Sequence, residues 1–248
     1  MIYFKNVLVV TDNGVQYQRF LDLLRNQFPD VEKSFHFKRS GSVETLTTGM
    51  YANGINDLQP CNVKRDWPSL AQEYDLIISL HCKQIFPSEL VNRVKCINIH
   101  PGFNPLNRGW YPQVFALYHN HHVGATIHEM DELVDNGAII DQAYVQVEEY
   151  DTSKDVYERI LCLEISLLRE NLMKILGNVY QTFQPAGEAN YYSMKDFNRI
   201  CHIDMDEKIS ARDFINRLRA LSHGDCANAY YTNDSGEKIF ITVNLKKK

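Results

Sequence analysis

The stretch YDLIISLHCKQIFPSELVNRVKCINIHPG, residues 74–102, contains a unit from which parallel β-sheets are built. Residues 74–80 and 96–99 are short, mostly apolar runs rich in Ile and Leu, which favour buried strands. Between them, SELVNRV (residues 88–94) has the length and composition of a short helix. Two strands joined through a helix run parallel in one sheet. The stretch therefore predicts an α/β fold.

Similar elements occur on both sides of this unit. We predict strands at residues 7–10 and 138–147, a strand leading into a loop at residues 124–132, and helices at residues 17–24, 112–120, 153–176 and 210–221. The longest helix has Thr152 or Ser153 available as its N-terminal cap, and Gly177 could end it in the left-handed conformation. Alternating strands and helices predict a Rossmann-like, mostly parallel sheet with helices on both faces.

The sequence changes character after Gln181, where Pro185-Ala186-Gly187 indicates a linker. A short helix and a hairpin with Asp234-Ser235-Gly236 as its turn follow. We therefore predict a main domain over residues 1–182 and a small C-terminal domain over residues 183–248, containing a helix and a β-hairpin.

Composition narrows the functional class. The 248 residues are 44% hydrophobic with a net charge of -5, and no apolar run approaches the roughly 20 residues of a membrane helix. The N-terminus carries no signal-peptide cleavage pattern, so we expect a cytoplasmic protein with no membrane partner. Six scattered cysteines indicate reduced thiols. An acidic chain without a long basic block disfavours a nucleic acid partner, which makes small-molecule chemistry the better hypothesis.

Two polar side chains stand at the carboxyl end of the strand over residues 96–99. Asn98 and His100 alternate with Ile97 and Ile99, so they project from one face about 7 Å apart. Ligand groups in open parallel sheets lie just beyond such strand ends. An amide can donate to a developing oxyanion while an imidazole accepts a proton, as acyl transfer requires. The same residues could instead only satisfy the following turn, and their spacing does not separate the two roles.

A protein nucleophile is missing from this pattern. The sequence has no G-x-S-x-G elbow, and Cys96 lies deeper in the predicted strand, where burial would raise its pKa and suppress its reactivity. The attacking group is therefore expected to come from a substrate, such as an amine.

A second segment, GATIHEMDELVDNGAIIDQ at residues 124–142, makes the pattern specific. Together with the strand followed by N-x-H-P-G, it resembles the N10-formyltetrahydrofolate-dependent formyltransferase family. Within that family, HCKQIFPSELV, CINIHPGFNPLNRGWYPQVF and GATIHEMDE are most similar to the sugar nucleotide N-formyltransferases, which act on dTDP-linked amino-deoxysugars. The resemblance is densest over residues 74–145 and extends in outline over the whole chain.

The resemblance implies a reaction and its participants. It implies a catalytic trio of Asn98, His100 and Asp135, with N10-formyltetrahydrofolate as co-substrate and no metal. The expected acceptor is a dTDP-linked amino-dideoxyhexose, dTDP-4-amino-4,6-dideoxyglucose, for surface polysaccharide biosynthesis, with a 3-amino isomer as the alternative. A methionyl-tRNA formyltransferase-like enzyme is disfavoured by the acidic chain. A non-catalytic nucleotide-sugar or folate-binding module would not need the trio.

The resemblance also suggests binding residues, each with a structural alternative. The expected cofactor-binding residues are Ile85, Phe86, Pro87, Met130, Asp131 and Glu132, of which the first three could equally be core packing. The expected substrate-binding residues are Lys83, Gln84, Asn107, Arg108, Trp110 and Tyr111. Here Lys83 could simply be solvated, and Trp110 could anchor the following helix.

Several histidines fit structural roles better. We interpret His128 as a satisfied core histidine, and His119, His121 and His122 as a solvated helix end, because H-N-H-H lacks metal-ligand spacing. FINRLRALSHGDCANAYY, residues 214–231, resembles in outline the small second domain of family members, which in sugar enzymes often serves dimerisation. A homodimer is therefore expected.

Overall fold

A computed structural model describes residues 2–40 and 54–248. Its strands are β1 Val7–Thr11, β2 Phe35–Ser40, β3 Gln59–Cys61, β4 Leu76–Leu80, β5 Lys95–His100, β6 Arg108–Gly109, β7 Gly124–Glu129, β8 Ile139–Tyr144, β9 Tyr191–Tyr192, β10 Ser222–His223, β11 Cys226–Ala227, β12 Ala229–Thr232 and β13 Lys238–Ile241. Its α-helices are α1 Gly14–Gln27, α2 Val63–Glu73, α3 Ser88–Val91, α4 Pro112–His119, α5 Ser153–Leu176, α6 Met194–Cys201 and α7 Ala211–Leu221, and a 3₁₀ turn covers Glu32–Ser34.

Within the described residues, the main sheet has seven strands in the order β3-β2-β1-β4-β5-β7-β8. Neighbouring strands from β3 to β5 run parallel, and β7 runs antiparallel to β5. Strands β1 and β4 are buried along their whole length, as expected when both faces of a parallel sheet are covered. The predicted α/β fold with a mostly parallel sheet is confirmed.

Helices cover both faces of this sheet. On one face, Leu8 and Ile77 belong to a buried cluster with Leu70 of α2 and Leu90 of α3. On the other face, the ring of Phe20 in α1 makes edge contacts with rings of β2. Side chains of alternate strand residues point to opposite faces, so the two sets of helices lie on opposite sides of the sheet.

Helix α5 has the predicted length but a different C-terminal cap. At its start the Thr152 hydroxyl donates to Asp155 at 2.6 Å, and the Thr152 carbonyl accepts from Val156 N–H. At its end the left-handed residue is Asn178, with φ 50°, and not Gly177. Asn is the residue after Gly that adopts this conformation most readily, because its short polar side chain can hydrogen-bond locally. The expectation for Gly177 was therefore wrong.

The described residues form two compact units. The first contains Met1–His100, Thr126–Gln142 and Leu163–Pro185, and the second contains Pro101–Ala125, Ala143–Cys162 and Ala186–Lys248. Within the second unit, Phe115 stacks on Tyr192 with ring centroids 3.9 Å apart. The buried guanidinium of Arg217 donates to the carbonyls of Ile200 and His202. The predicted domain boundary between residues 182 and 183 stays a prediction.

Candidate active site

The candidate site lies in the first unit, where β5 ends. Strands β1, β4 and β5 finish side by side, with Thr11 next to Leu80 and Leu80 next to Ile99. His100 is the last residue of β5 and is buried, whereas Asn98, two residues earlier, is half-buried. The strand alternation predicted from the sequence therefore places both polar side chains on the same face.

Asp135 joins these two side chains from the loop after β7. The Asn98 amide donates to Asp135 Oδ1 at 2.9 Å, and Asp135 Oδ2 lies 3.6 Å from His100 Nδ1. Asp135 itself has a left-handed backbone, with φ 51°. Such a conformation is disfavoured for a residue with a Cβ, and it clusters at functional sites. The structure thus brings together the three residues of the predicted trio.

Gly137 allows the loop to take this path. A Cβ at residue 137 would stand 1.9 Å from the carbonyl oxygen of Glu129. The Glu129 N–H donates to the carbonyl of Ala138, which closes the base of the loop. A side chain at residue 137 would force the loop carrying Asp135 to move.

The surroundings of His100 favour its neutral form. Burial lowers the pKa of His100 below its ordinary value, and the nearby His128 acts in the same direction. The Asp135 carboxylate opposes this shift but does not reverse it. Nε2 of His100 is buried and has no hydrogen-bond partner within residues 2–40 and 54–248. A buried polar atom of this kind fits a substrate group that would share a proton with it.

His128 contacts two members of the trio. It lies directly opposite Asn98 in the β5–β7 pairing, with its Nε2 3.3 Å from the Asn98 amide nitrogen and 3.6 Å from Asp135 Oδ1. Its Nδ1 lies 2.6 Å from the carbonyl oxygen of Glu129, which can only accept, so Nδ1 carries the hydrogen. Nε2 of neutral His128 can then accept from Asn98. The Asn98 amide is therefore oriented from two sides.

The interpretation of His128 as a satisfied core residue covers only part of its environment. His128 is indeed buried and hydrogen-bonded, but its contact with the trio was missed. Only the register between two distant strands could have revealed this contact. Cys96, on the same face as Asn98 and deeper in β5, has a thiol whose pKa burial raises to about 12.

The expected cofactor-binding residues fall into two groups. Phe86 is buried in the core cluster, and Met130 packs against the same cluster. Pro87 precedes α3, while the side chain of Ile85 is 72% exposed beside it. Of this group, Ile85 is the residue with the most surface available to a ligand.

The two acidic members of that set organise their loops. Asp131 accepts from Leu133 N–H at 2.9 Å and from the Asn136 amide at 3.1 Å. Glu132 accepts from the Asn92 amide at 3.0 Å. Both side chains are exposed, and their binding roles stay predictions.

Two of the expected substrate-binding residues follow β4. Lys83 is exposed, and its backbone N–H donates to the buried carboxylate of Asp12. The Gln84 side chain accepts from Val63 N–H and donates to the Cys61 carbonyl, so its amide holds the connection between β3 and α2. Of the two side chains, that of Lys83 has the more surface left for a ligand.

The other four expected substrate-binding residues belong to the second unit. The buried Asn107 side chain lies 3.0 Å from His121 Nδ1, and Arg108 Nε donates to the Asn190 carbonyl at 3.3 Å. Tyr111 has φ 51° where α4 begins, and its ring packs 4.3 Å from that of Phe197. The side chain of Trp110 is partly exposed next to Tyr111. Their roles in substrate binding stay predictions.

Comparison with known proteins identifies the family. A formyl transferase family model matches residues 62–172, and a model of the N-formyltransferase dimerization C-terminal domain matches residues 196–247. A dTDP-4-amino-4,6-dideoxyglucose formyltransferase of Mycobacterium tuberculosis is 42% identical over 186 residues, which cover 75% of this chain and 80% of that protein. The chain belongs to the formyltransferase family.

Solved structures of formyltransferases agree closely with this fold. A sugar N-formyltransferase from a Shewanella species is 39% identical, with a TM-score of 0.91 over 98% of both chains. A 4-N formyltransferase from Francisella tularensis is 37% identical, with a TM-score of 0.88 over 98% of this chain and 99% of that one. The resemblance drawn from the sequence is therefore confirmed.

The described residues also bear on metal binding and on membrane spans. In the described parts of the chain, no group of three or more His, Cys, Asp and Glu side chains is arranged to hold a metal ion. No helix among those residues has the length and apolar character needed to cross a membrane.

Proposed function

We propose that this formyltransferase transfers the formyl group of N10-formyltetrahydrofolate to the 4-amino group of dTDP-4-amino-4,6-dideoxyglucose. The observation that carries the proposal is the contact of Asn98 and His100 with Asp135 inside the segment that matches the formyl transferase model. An amide donor, a buried imidazole and a carboxylate at the end of a parallel strand form a set of groups suited to acyl transfer.

N10-formyltetrahydrofolate supplies a formyl group that an amine can attack directly. The amine must lose a proton as its bond to carbon forms, and His100, held neutral by burial, has Nε2 available to accept it. Asp135 then stabilises the imidazolium through the side facing Nδ1. Of the two N–H groups of Asn98, the one that faces His128 makes the longer contact, at 3.3 Å, and turns to the negative charge that develops on the formyl oxygen. The bond between the formyl carbon and N10 then breaks, the proton held by His100 passes to N10, and tetrahydrofolate leaves, so a protein nucleophile is not required.

The preference for a 4-amino sugar on dTDP rests on the relatives. The Mycobacterium tuberculosis relative at 42% identity bears that activity in its name, and the Francisella tularensis structure at 37% identity is described as a 4-N formyltransferase. The first match covers 75% of this chain and the second covers 98% of it. This supports the 4-amino substrate over its 3-amino isomer.

The proposal includes a homodimer formed through the C-terminal region. The hairpin of β12 and β13 exposes Ile239 and Phe240, and the Phe240 side chain is 56% exposed. The two side chains project from opposite faces of β13, and the hairpin lies within residues 196–247, which match the dimerization C-terminal domain model, so either face could take part in the interface. Replacing Phe240 with Glu should therefore convert a dimer into a monomer in light scattering. A wild-type protein that is monomeric at all concentrations would contradict this part of the proposal.

One assay tests the reaction. The protein is incubated with N10-formyltetrahydrofolate and, separately, dTDP-4-amino-4,6-dideoxyglucose, the 3-amino isomers and methionyl-tRNA, and release of tetrahydrofolate is followed. We expect kcat/KM to be highest for the 4-amino sugar. The Asn98→Ala variant should lose about 10²- to 10³-fold in kcat, as expected when an oxyanion donor is removed. Turnover of none of these acceptors by the wild type would refute the proposed function.

A further inference from the structure

A second group of buried polar side chains lies beside His100 and has no part in the reaction described above. The parallel pairing of β4 and β5 puts Leu80 next to Ile99, so the turn that begins at His81 starts at the same sheet edge at which β5 ends with His100. Adjacent strands are about 4.8 Å apart. His81 is therefore placed where it can influence His100.

Glu164 of α5 holds the His81 side chain. Glu164 Oε2 lies 2.8 Å from His81 Nε2 and accepts from the Gln16 amide at 2.5 Å. The side chain of Glu164 is 0% exposed and that of His81 is 9% exposed. A buried carboxylate is strongly disfavoured unless it is paired and hydrogen-bonded. Glu164 fixes the Nε2 end of His81 through this contact.

His81 also carries a backbone conformation that needs support. Its φ of 57° is left-handed, although it follows directly on the regular strand β4. Residues other than glycine that hold this conformation cluster at functional sites. The contact with Glu164 helps to hold the His81 ring inward at this turn.

We propose that Glu164 and His81 form a positioning pair at the end of β4, in which Glu164 holds the His81 ring, and that the pair controls the protonation of His100. The inference rests on the proposed function for its catalytic meaning. Neither residue is required to touch the substrate, since both act through His100. The Glu164 carboxylate and the His81 imidazole lie near His100, which must exchange a proton during the reaction.

The electrostatics around His100 give the two residues opposite effects. The groups that act on His100 are Asp135, His128, Glu164 and His81, in addition to burial. The carboxylates of Asp135 and Glu164 raise the pKa of His100, whereas His128 and His81 lower it. Removing Glu164 and removing His81 should therefore move the titration of His100 in opposite directions. A cluster that supports only the fold, with no charge acting on His100, would leave the titration of His100 unmoved in both variants.

The test is an NMR titration of protein labelled with ¹⁵N-histidine, with the His100 signals assigned from the spectrum of His100→Gln. In Glu164→Gln we expect the His100 midpoint at lower pH than in the wild type. In His81→Asn, whose side chain tolerates the left-handed backbone, we expect it at higher pH. Glu170→Gln, an exposed residue of the same helix, should match the wild type. Equal midpoints, or shifts of both variants in one direction, would overturn the proposal.

An activity measurement adds a second readout. Glu164→Gln should lower kcat on the order of tenfold or more with little change in KM, because a small displacement of a catalytic group affects the reaction more than binding. Wild-type kcat in Glu164→Gln would also overturn the proposal. If the wild type formylates no aminosugar, the proposed function fails while the titration still decides the relation between Glu164, His81 and His100.

Discussion

Replacing Asp135 with Asn tests the candidate site most directly. Asn keeps the size of the side chain and tolerates the left-handed backbone at residue 135, so the variant removes charge without adding strain. Asp135→Ala would change the charge and the size of the side chain at once. The isosteric variant therefore isolates the effect of the carboxylate on His100.

The expected magnitude follows from the distance. Opposite unit charges 3.6 Å apart, as for Asp135 Oδ2 and His100 Nδ1, attract by about 4–5 kcal/mol at an effective dielectric constant of about 20. Both side chains are largely buried, so screening by solvent is weak. We take at least half of this attraction to stabilise the transition state in which His100 takes up a proton. Removing the charge then raises the activation free energy by about 2–4 kcal/mol, which lowers kcat about 30- to 1,000-fold.

The pH dependence gives a second expectation with a definite sign. Asp135 favours the imidazolium of His100, so its removal lowers the pKa of His100 further below the ordinary value. Because neutral His100 accepts the proton, the acid limb of kcat/KM moves to lower pH in Asp135→Asn. The matched control is Asp22→Asn, a change of the same kind at an exposed position of α1. An Asp135→Asn enzyme with wild-type kcat and an unmoved acid limb would refute the reasoning.

Three further predictions concern other parts of the site. Cys96→Ala should keep kcat within about threefold of the wild type in the tetrahydrofolate-release assay. The reason is that burial raises the pKa of the Cys96 thiol to about 12, so the thiol is protonated and unreactive at neutral pH. A large loss of kcat would indicate a covalent step. Gly137→Ala should lower kcat on the order of 10²-fold by displacing the loop. In the control Gly187→Ala the new Cβ meets no atom within 4 Å, so kcat should stay unchanged, although the left-handed φ of 96° should lower the free energy of unfolding. Because the pKa of His100 is lowered in the folded state, the unfolded state binds more protons below about pH 6.5. The free energy of unfolding should therefore fall as the pH decreases, and it should fall less steeply in His100→Gln. Urea titrations from pH 7.5 to 5.5 measure this difference.

Strong local patterns decided which elements could be predicted. The helix predicted over residues 153–176 matches α5 at both ends, because its apolar spacing extends over many turns. Helix α6 was not predicted, since its eight residues are stabilised chiefly by the Ser193 and Asp196 capping box and by packing. Strand β2 and helix α2 were also missed, the latter with Pro68 in its interior. Short elements depend on tertiary contacts that no local pattern shows.

In the candidate site, too, local patterns could be predicted from the sequence and tertiary contacts could not. Asn98 and His100 could be placed on one face because alternation along a strand is a local rule. Asp135 came only from the family resemblance, since its contact with Asn98 joins residues 37 positions apart. The contacts of His128 and His81 depend on the register of β5 with its two neighbours. Register is fixed by the whole sheet, so these two histidines could not be assigned from the sequence.

The arrangement of charges explains why the site suits an amine. Three imidazoles, those of His81, His100 and His128, share this end of the sheet with the carboxylates of Asp135 and Glu164. Protonating all three would leave buried positive charge in excess, and burial lowers the pKa of His100. A neutral imidazole next to a carboxylate can accept one proton during the reaction and be stabilised as soon as it does. An attacking amine releases such a proton, and the buried charges balance again when His100 passes it on.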